Sequence, residues 1–196
     1  MKISFSPPDM TQAEAQAAAE AILSGWITSG PKTKEFERRI AARCGTPMAV
    51  CLNSQTACGE MALRLLEVGP GDEVIVPAYT YTATASVVCH VGAKLVMVDR
   101  QKDSLQMDYD ALEAAITEKT KVIIPVDLGG VPCDYRRIFE IVERKRSLFR
   151  PDSPLQKAMG RISVNVDAAH AFGAVWEGRP VGSIGDFTSF SFHAVK

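Results

Sequence analysis

Several short stretches of this chain set reactive residue types where chemistry is expected. Asp167-Ala168-Ala169-His170 follows the apolar run Ile162–Val166. Ser189-Phe190-Ser191-Phe192-His193-Ala194-Val195-Lys196 belongs to an alternating run that ends on a lysine. Asn53-Ser54-Gln55-Thr56-Ala57 opens a helical stretch, and Pro77-Ala78-Tyr79-Thr80-Tyr81-Thr82-Ala83 follows another apolar run. An acid at the end of a buried strand is costly unless a cation or a hydrogen-bond donor meets it. Asp167 could share a metal ion with His170, but no further ligand cluster has the spacing to complete such a site. It could instead hold a protonated ring nitrogen, the requirement of pyridoxal phosphate chemistry. Lys196 offers a nucleophilic amine if its surroundings lower its pKa, and a solvated charge otherwise. Ser191 could donate to a phosphate. The small hydroxyl residues at 53–57 make an anion site at a helix N-terminus, or else a plain N-cap by Ser54 or Thr56. Tyr79 and Tyr81 could stack on a planar ligand or simply edge the core.

The elements that must position these residues follow from the hydrophobic rhythm. Strand-like runs occupy Met48–Leu52, Glu73–Pro77, Lys94–Val98, Lys121–Val126, Ile162–Val166 and Asp186–Phe192. Helical stretches at Thr56–Glu67, Ala83–His90, Tyr109–Ile116 and Tyr135–Arg144 separate the earlier ones. This alternation predicts βαβ units and a mainly parallel sheet covered on both faces. Ligands of such sheets sit beyond the carboxyl ends of the strands, where the reactive stretches fall. Upstream, a Thr11/Glu14 capping box starts a helix that runs to about Leu23 and ends at Gly25. A second helix begins near Thr33, sets Phe36, Ile40 and Cys44 on one face, and stops at Gly45. Arg144–Arg161, basic and containing Pro151 and Pro154, reads as a surface insertion with a solvated face.

Composition narrows the class. The 196 residues carry 22 Lys+Arg against 23 Asp+Glu, a net charge of −1, with 46% hydrophobic residues. That balance excludes a generally basic nucleic-acid binder and a disordered, charge-dominated chain. No apolar run approaches the roughly eighteen residues of a membrane span, and Met1–Phe5 has no signal-peptide core. The 5 cysteines include no CxxC pair, so buried free thiols in a reducing cytoplasm are expected.

Taken in order, these motifs resemble the DegT/DnrJ/EryC1/StrS sugar aminotransferases, of the fold-type-I class of pyridoxal phosphate enzymes. The resemblance is carried by Gly25-Trp26-Ile27-Thr28-Ser29-Gly30-Pro31, Asn53–Ala57, Gly69-Pro70-Gly71-Asp72-Glu73-Val74-Ile75-Val76-Pro77 and Thr80–Ala85. It continues through Asp167-Ala168-Ala169-His170-Ala171-Phe172-Gly173-Ala174, Gly185-Asp186 and Ser191–Lys196. It implies an α/β fold, a three-layer αβα sandwich around a mainly parallel mixed sheet. It divides the chain into an N-terminal helical segment, 1–45, and part of the cofactor-binding large domain, 46–196. A small C-terminal domain would lie outside the chain, which on this expectation is incomplete.

The resemblance also implies roles. Lys196 would form the internal aldimine with pyridoxal 5'-phosphate and later move the proton between carbon atoms. Asp167 would pair with the pyridinium nitrogen, His170 would face the phenolic oxygen, and Tyr81 would stack on the ring. Thr56, Ala57 and Ser191 would bind the phosphate; Gln55 stands where the family frequently has Gly. The implied reaction moves an amino group from an amino acid, L-glutamate, to a nucleotide-linked keto-sugar. A homodimer with shared active sites is implied as well. The alternatives are a non-catalytic regulator on the same fold and a cofactor-dependent sugar dehydratase; the latter uses His at the position held here by Lys196. The Arg144–Arg161 segment could contact the nucleotide or a partner subunit.

Overall fold

A computed structural model describes residues 7–194. Lys196 lies outside the described residues. In chain order the elements are α1 (Gln12–Leu23), α2 (Pro31–Cys44), α3 (Gln55–Leu65), β1 (Glu73–Pro77), α4 (Thr82–His90), β2 (Lys94–Val98) and α5 (Tyr109–Ala115). They continue with β3 (Thr120–Ile123), α6 (Tyr135–Arg144), α7 (Pro154–Met159), β4 (Ser163–Asp167), the hairpin β5 (Val175–Trp176) and β6 (Arg179–Pro180), and β7 (Phe187–Ser189).

The main sheet has the order β2-β1-β3-β4-β7, and all its pairs are parallel. Because side chains alternate along a strand, each strand serves two layers. Val74, Val76, Val122 and Ile124 face α3 and α4, packing with Leu63, Leu66, Val87 and Val88. Ile75, Ile123, Val164 and Val166 face α5 and α6, packing with Leu112, Ile138 and Ile141. The expected αβα layering is therefore present. The consequence for function lies in β4: with Val164 and Val166 committed to the α5/α6 core, Ser163, Asn165 and Asp167 must point to the α3/α4 side. The order also reverses between β1 and β3, the switch point at which parallel sheets open a crevice.

Local signals explain most boundaries. The Thr11/Glu14 capping box is formed, with the Thr11 N–H donating to Glu14 Oε2 at 2.6 Å. Helix α2 starts at Pro31, two residues before the expected Thr33, because proline suits the first helical turn. It ends at Gly45, whose φ of 68° gives the left-handed C-cap. The β5–β6 hairpin turns on Glu177 and Gly178, both with positive φ (47° and 79°), as its two-residue loop requires.

Two expectations are corrected. Met48–Leu52 forms no strand: Met48 is 75% and Val50 65% exposed, and no described strand pairs with this stretch. An alternating pattern becomes a strand only beside a partner that takes up its backbone groups. Arg144–Arg161 is no loose surface insertion. It contains α7, and it buries Phe149, Ser153 and Gln156. Ser153 Oγ and Gln156 Nε2 both donate to the Leu66 carbonyl, at 3.1 and 2.7 Å. The buried Lys121 ammonium, at the start of β3, donates to the Arg150 carbonyl and the Asp152 carboxylate and lies 3.6 Å from Asp72 Oδ1. These anchors all lie at the amino-terminal edge of the sheet, away from the edge where the reactive stretches end. The segment is a structural strap anchored at the amino-terminal edge. Gln156→Ala in the intact protein is expected to lower stability by about 1–3 kcal/mol, the cost of stripping buried groups of a partner, without changing ligand binding at the carboxyl edge. Urea denaturation beside ligand titration checks both halves.

Candidate active site

The site is built around Asp167, the last residue of β4 and only 5% exposed. Its Oδ2 accepts from the Thr84 hydroxyl of α4 at 2.7 Å, and its Oδ1 from the Ala169 N–H at 3.1 Å. Thr84 in turn lies 2.9 Å from the Thr80 hydroxyl. The backbone is tied on both sides: the Asp167 N–H donates to the Pro125 carbonyl, and the Ala168 N–H to the Ser189 carbonyl, each at 2.9 Å. The carboxylate is thus oriented by donors from separate elements, and each oxygen retains acceptor capacity.

Asp167 helps line a cleft of about 440 Å³, open to solvent, bounded by Gln55 and Cys58 of α3, Thr84 and Val87 of α4, and Asn165 and Ser189 of the sheet. Gln55 Nε2 donates to Ser189 Oγ at 2.9 Å, closing the cleft between α3 and β7. Asn165 Nδ2 and the Thr188 hydroxyl, on two of the residues that line this cleft, are buried without a hydrogen-bond partner among the described residues. Unsatisfied buried polar atoms are rare in folded proteins, and here they mark a polar-walled space. At the amino end of α3, Ser54 is the N-cap and accepts from the Ala57 N–H at 3.1 Å. The amides of Gln55 and Thr56, at the first two helical positions, have no intrahelical carbonyl to meet. The cleft therefore combines an oriented carboxylate with a helix N-terminus, which fits a ligand that is cationic at one point and anionic at another.

A second acid lies behind the first. Asp127, only 1% exposed, accepts at Oδ1 from the Tyr135 hydroxyl (2.6 Å) and the Cys133 N–H (2.9 Å). Burial pushes its carboxyl up from 3.8 to about 6, with the nearby Asp167 charge adding to the rise and the hydrogen bonds opposing it. The same turn reaches His170, whose Nδ1 accepts from the Gly129 N–H at 3.2 Å.

The structure brings Gln55, Thr84, Asp167 and Ser189 together around one cleft, with His170 three residues past Asp167 and Thr56 and Ala57 in the first turn of α3. Tyr81 is the N-cap residue of α4 and 76% exposed at the same edge. Ser191 lies beyond the end of β7, its Oγ accepting from the His193 N–H at 3.4 Å, so the alternating run is a ladder only over Phe187–Ser189. Thr84 and Asp127 escape a reading of the sequence. Asp127 follows an apolar run as Asp167 does, so the same argument reaches it; Thr84 is one hydroxyl among several, and only packing distinguishes it. Burial pushes the thiols of Cys44, Cys58 and Cys133 up, which keeps them protonated, but the expectation of buried thiols holds fully only for Cys44 and Cys133, and Cys89 is exposed. No helix among the described residues is long and apolar enough to cross a membrane.

Comparison with known proteins gives one family. The pattern of the DegT/DnrJ/EryC1/StrS aminotransferase family matches residues 8–196. The spore coat polysaccharide biosynthesis protein SpsC of Bacillus subtilis is 39% identical over 192 residues, covering 98% of this chain and 46% of its own. Among solved structures, Spr1654 of Streptococcus pneumoniae, provisionally assigned as a sugar aminotransferase, has a TM-score of 0.98 and 62% identity over 100% of this chain and 49% of its own. It is also solved in PMP and PLP forms. An aminotransferase from Psychrobacter cryohalolentis has a TM-score of 0.86 and 32% identity over 98% of this chain and 46% of its own. The chain spans about half the length of these relatives.

The buried Asp127 carboxyl gives stability a pH dependence. Asp127 holds its proton to about pH 6 when folded but releases it near 3.9 when unfolded. The folded state therefore binds more protons between those values, and stability from this group is lost as pH rises through that window, on the order of 3 kcal/mol in all. Asp127→Asn removes this dependence. The stability difference between variant and parent, from urea melts, is expected to move in the variant's favour from pH 4 to pH 7. A flat difference would show that Asp127 ionises as in solution.

Proposed function

The chain belongs to the DegT/DnrJ/EryC1/StrS aminotransferase family, and from that premise we propose that it is part of a pyridoxal 5'-phosphate-dependent sugar aminotransferase. The observation that carries this reading is the buried Asp167 carboxylate, oriented by Thr84 and Ala169 at the wall of a cleft whose other side is the amino end of α3. When bound, pyridoxal phosphate supplies an electron sink for negative charge developing beside the amino nitrogen. Asp167 keeps the ring nitrogen protonated, since a buried carboxylate is stabilised by an adjacent cation. Thr56 and Ala57 at the start of α3, with Ser191, hold the phosphate through hydroxyls and backbone N–H groups. Tyr81 stacks on the ring, and His170 meets its phenolic oxygen. Lys196 would supply the amine that holds the cofactor, and its Nζ would move the proton as general acid and base.

The amino donor in this reading is L-glutamate, and the acceptor is the keto group of a nucleotide-linked sugar. The assignments of the relatives, a sugar aminotransferase and a polysaccharide biosynthesis protein, support a sugar acceptor. Residues 1–45 are the N-terminal helical segment and 46–196 part of the cofactor-binding domain, with a smaller C-terminal domain completing a cytoplasmic enzyme. The active unit is a homodimer with shared sites. Helix α1 supports this: it buries none of its own residues, and Ile22, Leu23, Trp26 and Ile27 at and after its end are all exposed. Apolar patches of this kind mark surfaces that another chain covers.

The full-length protein with pyridoxal phosphate is expected to show an absorbance band in the visible edge region that L-glutamate bleaches. A band that glutamate leaves unchanged indicates a binder without transaminase activity, and no band at all rejects the cofactor. Lys196→Ala is expected to abolish turnover; persistent transamination in that variant would sink the assignment. Asp167→Asn is expected to lower turnover by roughly 100-fold or more, since it removes the charge that holds the ring nitrogen protonated, about 3 kcal/mol at a buried site. Steady-state kinetics at saturating glutamate checks it.

A further inference from the structure

The turn after β3 is held more firmly than a connection requires. Residue 127 is fixed at three points: its N–H donates to the Asp167 carbonyl at 3.0 Å, and its Oδ1 accepts from Tyr135 Oη and Cys133 N. From this anchor the chain doubles back through Gly129 (φ 63°) and Gly130 (φ 80°), closed by Gly130 N–H to the Asp127 carbonyl at 3.1 Å and Val131 N–H to the Leu128 carbonyl at 3.2 Å. Left-handed backbone at both positions suits glycine. The second glycine is also needed for space, because a Cβ at Gly130 would lie 3.1 Å from the His170 carbonyl oxygen. The outcome is that the Gly129 N–H is aimed at His170 Nδ1, 3.2 Å away.

A peptide N–H can only donate, so the ring nitrogen it meets must be the one without a proton. A neutral imidazole carries a single proton, which must then sit on the other nitrogen. We propose that the Gly129 peptide holds His170 as the Nε2–H tautomer, making it a neutral hydrogen-bond donor to an oxyanion at the candidate site, with Asp127 the positioning residue that fixes the turn. The identity of that oxyanion, the phenolic oxygen of the cofactor, rests on the function proposed above; the tautomer does not. Residue 127 thereby links the two halves of the site: its backbone N–H holds the Asp167 carbonyl, and its carboxyl fixes the turn whose Gly129 peptide meets the His170 ring. Asp127 itself is 1% exposed and does not line the cleft.

The test is a long-range proton–nitrogen correlation spectrum of the full-length, cofactor-free protein labelled with nitrogen-15 at histidine, recorded where imidazole is neutral. Loss of one signal pair in His170→Gln assigns the residue. The expected spectrum has Nδ1 in the unprotonated range and Nε2 in the protonated range. An inverted pattern, or the averaged shifts of a freely exchanging imidazole, overturns the proposal in the parent protein with no variant needed. Asp127→Ala is expected to shift both signals toward the average and Asp127→Asn, which keeps an acceptor oxygen, to restore them. Unchanged shifts in a cooperatively folded Asp127→Ala protein overturn the positioning role. If that variant does not fold, Gly130→Ala, which presses the turn away from His170, must produce the same shift, and its failure to do so overturns the role equally. Titration of the parent with pyridoxal phosphate is scored separately. A fixed tautomer without cofactor binding rejects the proposed function and leaves this inference standing.

Discussion

Placing a carboxylate at the buried end of an interior strand constrains everything around it. Asp167 must be met by donors, and a single strand cannot provide them. They come from Thr84 on α4 and from the next turn of its own chain. Meeting that demand binds the layers together. The backbone on either side of the carboxylate pairs with the chain after β3 and with β7, and β7 is joined to α3 by Gln55. The parallel sheet supplies the geometry, because period-two alternation leaves β4 no choice of side for Asp167 once Val164 and Val166 enter the opposite core. A cleft with a helix N-terminus on one wall and an oriented acid on another follows from these pairings.

The opposite edge of the sheet solves a different problem. There the buried charge is the Lys121 ammonium, surrounded by Asp152, Asp72 and the Arg150 carbonyl. The strap from α6 through α7 returns across this edge and ends at β4, and its polar side chains turn inward to the Leu66 carbonyl. Exposed ion pairs elsewhere, such as Arg38 with Glu35 and Arg137 with Asp110, add little to stability. Buried hydrogen bonds do more, since leaving either partner unmet is costly. Anchoring is thus concentrated at the amino edge, and the carboxyl edge is left open to carry the cleft.

The surface around the first helices is unfinished in a chemical sense. Helix α1 is well capped yet buries none of its own residues, and Met48 and Val50 expose apolar side chains on a stretch that no strand pairs with among the described residues. Phe36 of α2 reaches Phe192 edge-on at 5.0 Å, and Phe172 meets both Phe192 and Phe190, so an aromatic cluster ties α2 to the exit of β7. The helices are therefore attached to the site by side chains near its rim, and their outer faces are the surface that a second copy would cover under the proposed homodimer.

Much of this was legible from the residues alone. Capping boxes, the Gly45 stop and apolar runs near five to six residues long announce helices and parallel strands, because these signals are local: a neighbour a few positions away decides them. The position of Asp167 was legible too, since an acid directly after an apolar run must be met by a cation or a hydrogen-bond donor. What depended on distant partners was not. Met48–Leu52 has the pattern of a strand and no ladder, Arg144–Arg161 has the composition of a surface loop and the burial of a strap, and Thr84 became significant only through a bond spanning eighty-three positions. The sequence by itself determined the layered class, the edge where chemistry must lie and the residue types available there. Only the tertiary structure decided which hydroxyl orients the carboxylate, which acid lies behind it and which peptide faces His170. Hydrogen bonds between elements depend on register and packing across the fold, and neither is written in any local window of the chain.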